Sequence, residues 1–405
     1  MNTTPHDLLT RAADEVDVPV PDTSAILRAG RRQHRRNTLR RVTPAVGLVA
    51  ASAVAAAVLI PQSPDELGAP EGVRVTEVAP AAFSAAETRE VTRAYVETGA
   101  FAIGTTVYLG ARDTHPVELD VPAIRGLHLT SAGVLVRHGK DLSMDVASSY
   151  SLVGTDGSVR AVDLAPGDVA VGTDAGQPYF SYARKAGQGW EVVVHDLRSG
   201  ELTATVTVSG DFTWGGWDAP PVSLSGDVVW VGLDEETAAF DWRTGERVES
   251  ALPGSLYPAV KGGRQVFETT NKRYETTGFE VKDARTGDVV LDVPVTAKRS
   301  TLGLLSPDGE ALMMGPYLMH TEDDQIRDTR GMRVIDVASG RSTDLPASPV
   351  GGYGWTPDGH VFSVDGQQAV VCDPLAGECT TTELSLGVSP GDLGTLRLGG
   401  LVTDS

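Results

Sequence analysis

The 405-residue chain is poor in the residues that advertise chemistry. It has two cysteines and eight singly scattered histidines, and no CxxC, HExxH or Asp-x-Asp-x-Asp-Gly spacing, so the usual zinc and calcium-loop ligand sets are missing. No Walker A loop occurs, which excludes a P-loop phosphate cradle. Aromatic residues make up only 6%, with 8 Phe against 45 Gly, while 41% of the chain is hydrophobic. That balance suits a large globular fold rich in turns rather than a disordered chain.

Charge of one sign is also scarce. Residues 1–41 carry eight Arg and five acidic residues, which leaves 26 basic against 49 acidic residues for the rest of a chain whose net charge is −20. An acidic body repels phosphate backbones, so no nucleic acid partner is expected.

Long apolar runs are absent but for one, "VTPAVGLVAASAVAAAVLI" from Val42 to Ile60, which has no charged residue. Its length fits a bilayer core. Arg-rich "RRQHRRNTLRR" precedes it and acidic "PQSPDELGAPEG" follows, so the positive-inside bias predicts a cytoplasmic N-terminus and an extracytoplasmic body. The rival readings are a cleaved signal peptide, which would want small residues before the cut rather than Ile60, Pro61 and Gln62, and a twin-arginine signal in "RRNTL". Gly47, Ala51 and Ala55 fall at a spacing that lets two membrane helices approach. Residues 61–97 are expected to form a spacer, in which "SAAETREVTRAYV" is either a short helix, with Ser84 and Glu87 at capping-box spacing, or the first strand of the body. In the tail, Leu8 and Leu9 share a helical stripe that would suit a cytoplasmic regulator; otherwise the tail only fixes topology.

What the body has in abundance is repetition. "HDLRSGELTAT", "FDWRTGERVES", "KDARTGDVVLD", "IDVASGRSTDL" and "CDPLAGECTTT" place turns at Gly200, Gly245, Gly287, Gly340 and Gly377, and "VGTDGSVRAV" adds Gly157. A β-rich run enters, Asp caps the turn, Gly takes a positive φ and a second strand leaves. A second ladder of turns at Gly133, Gly176, Gly226, Gly263, Gly309 and Gly359 interleaves with it. Two hairpins per period of roughly 44 residues make a four-stranded unit, the blade of a β-propeller. The predicted fold is all-β, a propeller of about seven blades over residues 98–405, with six or eight still open and "TLRLGGL" available as a closing strand of the first blade.

The repeats "AFDWRTGERV" and "VKDARTGDVV" resemble those of PQQ-like quinoprotein propellers, and "LSPDGEALMM" and "WTPDGHVFSV" resemble WD-repeat-like and TolB-type blades. With the basic tail and Ala/Val anchor, the whole resembles membrane-anchored propeller proteins of actinobacteria. The Trp that follows the turn Gly in quinoprotein repeats is missing, and with it the argument for a quinone cofactor.

Cys372 and Cys379 flank "DPLAGE" on facing strands, which places them for a disulfide outside the cytoplasm; the alternative is two free thiols. Candidate ligand-binding residues gather in three loops of one propeller face: Trp214 and Trp217 in "DFTWGGWDAPP", Asn271 and Arg273 in "TTNKRYETTG", and His320, Glu322, Asp323, Asp324 and Asp328 in "MHTEDDQIRD". The last cluster would suit a divalent cation such as calcium. Each has a plain structural role open to it as well, Trp packing between blades or a solvated acidic loop. Two functions follow: a membrane-anchored binding or sensory module for a protein, glycan or small ligand, or a propeller enzyme of quinoprotein, lactonase or lyase kind. Inner strands "PPVSL", "TLGLL" and "YGWT" offer almost no ligands for a cofactor in the central channel, which favours binding.

Overall fold

A computed structural model describes residues 74–79, 83–141, 148–164, 169–213, 217–254, 257–272, 275–295, 301–316, 332–346, 348, 352–388 and 392–401. The expected tail and the expected span 42–60 lie outside them; among the described residues no helix is long and apolar enough to cross a membrane.

Two elements form within the expected spacer. Strand β1 (Arg74–Ala79) is followed by helix α1 (Ala85–Thr98). The capping box is made in both directions, Ser84 Oγ accepting from the Glu87 N–H at 3.4 Å and the Ser84 N–H donating to Glu87 Oε2 at 2.8 Å. The helix buries Val91, Ala94 and Tyr95.

Blade 1 contributes β2 (Ala100–Ile103), β3 (Thr106–Leu109) and β4 (His115–Glu118). Blade 2 holds β5 (Ala123–Thr130), β6 (Gly133–Gly139), β7 (Ser149–Gly154) and β8 (Val159–Asp163), and β1 adds a fifth strand antiparallel to β8. Blade 3 is β9 (Gly172–Thr173), β10 (Tyr179–Ala186), β11 (Gly189–Asp196) and β12 (Leu202–Val208); blade 4 is β13 (Val222–Ser225), β14 (Val228–Gly232), β15 (Thr237–Asp241) and β16 (Arg247–Val248). Blade 5 has β17 (Arg264–Thr270), β18 (Thr276–Asp283) and β19 (Val289–Pro294). Its inner segment, ending at the fully buried Val260, forms no regular ladder. Pro258 lacks the N–H a ladder needs. Blade 6 is β20 (Thr301–Leu305), β21 (Ala311–Pro316), β22 (Arg333–Asp336) and β23 (Ser342–Asp344); blade 7 is β24 (Gly354–Trp355), β25 (Val361–Val364), β26 (Gln368–Asp373) and β27 (Glu378–Glu383). Finally β28 (Arg397–Leu398) pairs with β2, Phe101 facing Leu398, and supplies the innermost strand of blade 1. Seven sheets therefore close into one wheel, and the closing strand read in "TLRLGGL" is in place.

The core lies between blades. Phe101, Phe362 and Leu398 join blades 7 and 1; Val107 and Leu127 join 1 and 2; Phe180, Val193 and Val229 run through 3 and 4; Trp230, Val260 and Ala284 join 4 and 5. Alternating strand residues serve both neighbours, so each blade is buried on both sides.

The repeated decapeptide explains itself in the turn. Asp241 Oδ1 accepts from the N–H groups of Arg243 at 2.9 Å and Thr244 at 3.0 Å, while the Gly245 N–H donates to the Asp241 carbonyl at 2.8 Å. Gly245 takes φ 75°, a region costly for any residue with a Cβ. Asp283 and Asp373 repeat both side-chain caps. Gly157 belongs to a tighter variant, its N–H reaching the Gly154 carbonyl, three residues back rather than four.

On β26 and β27, Cys372 faces Cys379 directly and the two are bonded. Cys372 is buried and Cys379 exposed.

Candidate functional site

Antiparallel order within each blade sends the first-to-second and third-to-fourth strand turns to one face, here the turn face. The remaining connections open on the other, the loop face.

On the turn face, the hairpin tips around the central bore are tied to one another in sequence. The Ser131 N–H donates to the Gln177 carbonyl at 2.9 Å, linking blades 2 and 3. Gly226 N–H donates to Asp174 Oδ2 at 2.7 Å, linking 3 and 4. Gly263 N–H donates to Ser225 Oγ at 3.2 Å, and Arg264 Nη1 to the Gly309 carbonyl at 2.8 Å, carrying the chain to blade 6. A crevice of about 660 Å³ opens inside this ring, between blades 4 and 5 and toward the bore. A mouth tied in this way is already formed before anything enters it.

Its wall carries both charge signs. Asp174 accepts Gly176 N–H at 2.8 Å as well as Gly226 N–H, and its charge offsets part of the burial penalty on the Lys261 ammonium. Lys261 Nζ in turn donates to the Thr173 carbonyl at 3.2 Å, so a side chain of blade 5 reaches across to blade 3. Burial pushes the Lys261 pKa down. Asp227 is paired with Arg243 at 2.7 Å, and Asp241 caps its own turn. Asp308 Oδ1 engages Ser306 Oγ and the Glu310 N–H, while Oδ2 makes no bond among the described residues. Trp230, only 1% exposed, lines the crevice, and its indole N–H meets no acceptor among the described residues.

Within the wheel, His128 on β5 is buried, and burial, with the nearby Arg137 and Lys261 charges, pushes its pKa down to about 3. His195, stacked on Phe180 and Tyr182, is held down to about 4 chiefly by burial. Both imidazoles are neutral at pH 7.

Two of the residues expected from sequence are described, and both lie on the loop face. Trp217 packs edge-on against Tyr257 at 6.3 Å, and the buried Arg137 guanidinium lies 5.8 Å from the Trp217 ring centre. Asn271 closes its own hairpin, Nδ2 donating to Glu275 Oε2 at 2.7 Å and Oδ1 accepting from the Glu275 N–H at 3.2 Å. Trp214, Arg273, His320, Glu322, Asp323, Asp324 and Asp328 lie outside the described residues. Among the described residues no group of three or more His, Cys, Asp or Glu is placed to hold a metal ion. Of the described residues expected to bind ligand, neither Trp217 nor Asn271 lines the crevice. Sequence reasoning missed Trp230, Asp308 and Lys261. The signal for Trp230 was a single Trp within "VVWVG", where an apolar neighbour would have served the blade contact equally well.

Neither known family profiles nor curated proteins match the chain. Solved structures give distant likenesses. Hydrazine synthase of Kuenenia stuttgartiensis is 15% identical over 68% of this chain and 83% of its own, with a TM-score of 0.37. The complex of KlAtg21 with the coiled-coil of AgAtg16 includes a chain 10% identical, covering 62% and 80%, also at 0.37. At these values the likeness carries no argument; the propeller rests on the seven sheets described above.

Proposed function

We propose that this chain is a membrane-anchored, extracytoplasmic binding or sensory module that takes a small ligand in the turn-face crevice. The observation that carries the reading is the turn-face crevice itself, already fixed by blade-to-blade hydrogen bonds and lined by the exposed side chains of Arg285, Asp227 and Asp308. The crevice volume is in the range of small-molecule sites. Ser225 there accepts a backbone N–H, and Asp174, Asp227 and Asp241 are engaged in caps or an ion pair, so the wall is built for holding rather than for nucleophilic attack. The bonded Cys372–Cys379 pair supports an oxidising compartment, and the charge-free Val42–Ile60 supports the anchor.

A thermal-shift screen of small metabolites against the wild type and Arg285→Trp, which fills the crevice from an exposed turn position, tests the site. Ligands that raise the wild-type midpoint should lose most of that effect in the variant; a full set of hits indifferent to Arg285→Trp would reject the crevice. Protease added to intact cells tests the topology. The wheel should be removed, and its protection would reject the extracytoplasmic placement.

A further inference from the structure

The outermost strand of a propeller blade leaves a row of backbone N–H and C=O groups along the rim, and such a row pairs with a further strand unless something blocks it. Among the described edges, those of the other blades all carry a block. On blade 2, β1 covers β8 and itself holds Arg74 and Glu77. Strand β4 contains Pro116 and Glu118, and β19 contains Asp292 and Pro294. Strand β16 has two residues and β23 three, while β27 begins and ends in Glu. Strand β12 of blade 3 differs on every count. It is seven residues long, Leu202–Val208, has neither charge nor proline, and is the outermost strand of its sheet, with Leu202 45% exposed.

Independently of the crevice, we propose that a second copy of this chain adds to this edge, the two β12 strands pairing antiparallel about a twofold axis at Thr205. The strand reads "LTATVTV", the same alternation from either end. Centred on Thr205, the pairing uses all seven residues: Thr205 faces Thr205 and Thr203 faces Thr207 on one side of the sheet, Leu202 faces Val208 and Ala204 faces Val206 on the other. A contact between identical surfaces has to be self-complementary, and this register is, with Thr–Thr and aliphatic cross-strand pairs that favour a sheet. Thr203, Thr205 and Thr207 are exposed, so their row is open to a partner. No like charges meet. One residue beyond the strand, Glu201 falls opposite Ser209, and Glu191, beside Thr207 on β11, is already paired with Arg184. A foreign strand would place no demand for symmetry on the sequence, whereas a second copy does. One ladder of this length is a small interface, so the dimer is a reversible one.

Cross-linking of the full chain in intact cells decides it. The two natural cysteines are bonded to each other, so Thr205→Cys adds a free thiol whose Cα would lie about 5.5 Å from its counterpart in the pair. A short, membrane-permeant bismaleimide should join Thr205→Cys into a covalent dimer and leave Thr244→Cys, in an exposed hairpin turn, as monomer. Adding Thr203→Lys and Thr207→Lys to Thr205→Cys sets lysine against lysine and should cut the cross-linked fraction about tenfold. Adding Thr203→Glu and Thr207→Lys instead sets unlike charges opposite each other and should preserve it. All three threonines are exposed, and matching melting midpoints will show that the variants fold; should a charge variant fail to fold, Thr205→Cys against Thr244→Cys decides alone. Absence of a cross-linked dimer from Thr205→Cys, or a dimer indifferent to the lysine pair, overturns the proposal, the latter by moving association to another surface. A cross-link from Thr205→Cys to a different protein in place of the dimer overturns it too, and gives the edge to a foreign strand.

Discussion

The two faces of the wheel are made from the same strands and differ in how much of each connection is spent on itself. On the turn face, Asp241, Asp283 and Asp373 cap their own backbones, and tip binds tip from blade 2 to blade 6. On the loop face, Asn271 and Glu275 close one hairpin, Asp234 accepts from the Thr213 N–H and hydroxyl, and Trp217, Tyr257 and Arg137 cluster; among the described residues these ties form no comparable ring. Repetition thus produces a rigid rim, and rigidity is what leaves a defined crevice. Irregular sequence is where binding residues are usually sought, yet in this chain the crevice opens among the regular turns.

The strongest test of that contrast compares two glycines with nearly the same backbone. Gly262 on the turn face has φ 54°, and a Cβ there would run into the Asp308 carbonyl; Gly104 on the loop face has φ 62° with nothing within 4 Å of its Cβ position. Gly262→Ala is expected to cost on the order of 3 kcal/mol in urea unfolding, and Gly104→Ala only the ~1 kcal/mol of the backbone conformation itself. Equal losses would show that the turn face is no more tightly determined than the loop face.

Removing the disulfide with Cys372→Val and Cys379→Ser closes no competing path and opens only a short loop, so the expected loss is about 2 kcal/mol, read by the same unfolding experiment with and without reductant.

Acid should weaken the wheel from within. His128 and His195 have folded pKa values of about 3 and about 4 against an ordinary 6.5. The unfolded chain therefore takes up protons that the folded one refuses, and the contribution is complete above pH 6.5 and falls as pH drops through 6.5 toward 3. The slope is at most ~1.4 kcal/mol per pH unit for each histidine. His128→Gln should flatten the stability profile between pH 6.5 and 4; an unchanged profile would contradict the burial account.

The smallest effect is expected at a single cap. Asp241→Ala loses two side-chain bonds in an exposed turn and should cost ~1 kcal/mol, read by the same urea unfolding.

Much of this fold was legible because a tight turn writes itself in local residues. Asp241 and Gly245 must stand four apart for the cap and the positive φ, and the same is true at Asp196, Asp283, Asp336 and Asp373, so the period and the blade count could be read. The capping box at Ser84 and Glu87 is equally local. The crevice was not legible. Asp227, Arg285 and Asp308 come from blades 4, 5 and 6, and what brings them to one crevice is a property of three-dimensional neighbours that no sequence spacing records. The pairing of β1 with β8 escaped for the same reason, since a strand joined to an outer edge needs no turn signal beside it.

Soaking crystals of the wheel with a set of small charged and neutral fragments tests the central claim most directly. Bound density in the turn-face crevice lined by Asp227, Arg285 and Asp308 is the predicted result. Density confined to the Trp217, Tyr257 and Arg137 cluster, with the crevice holding solvent alone, would contradict the account and move the binding function to the loop face.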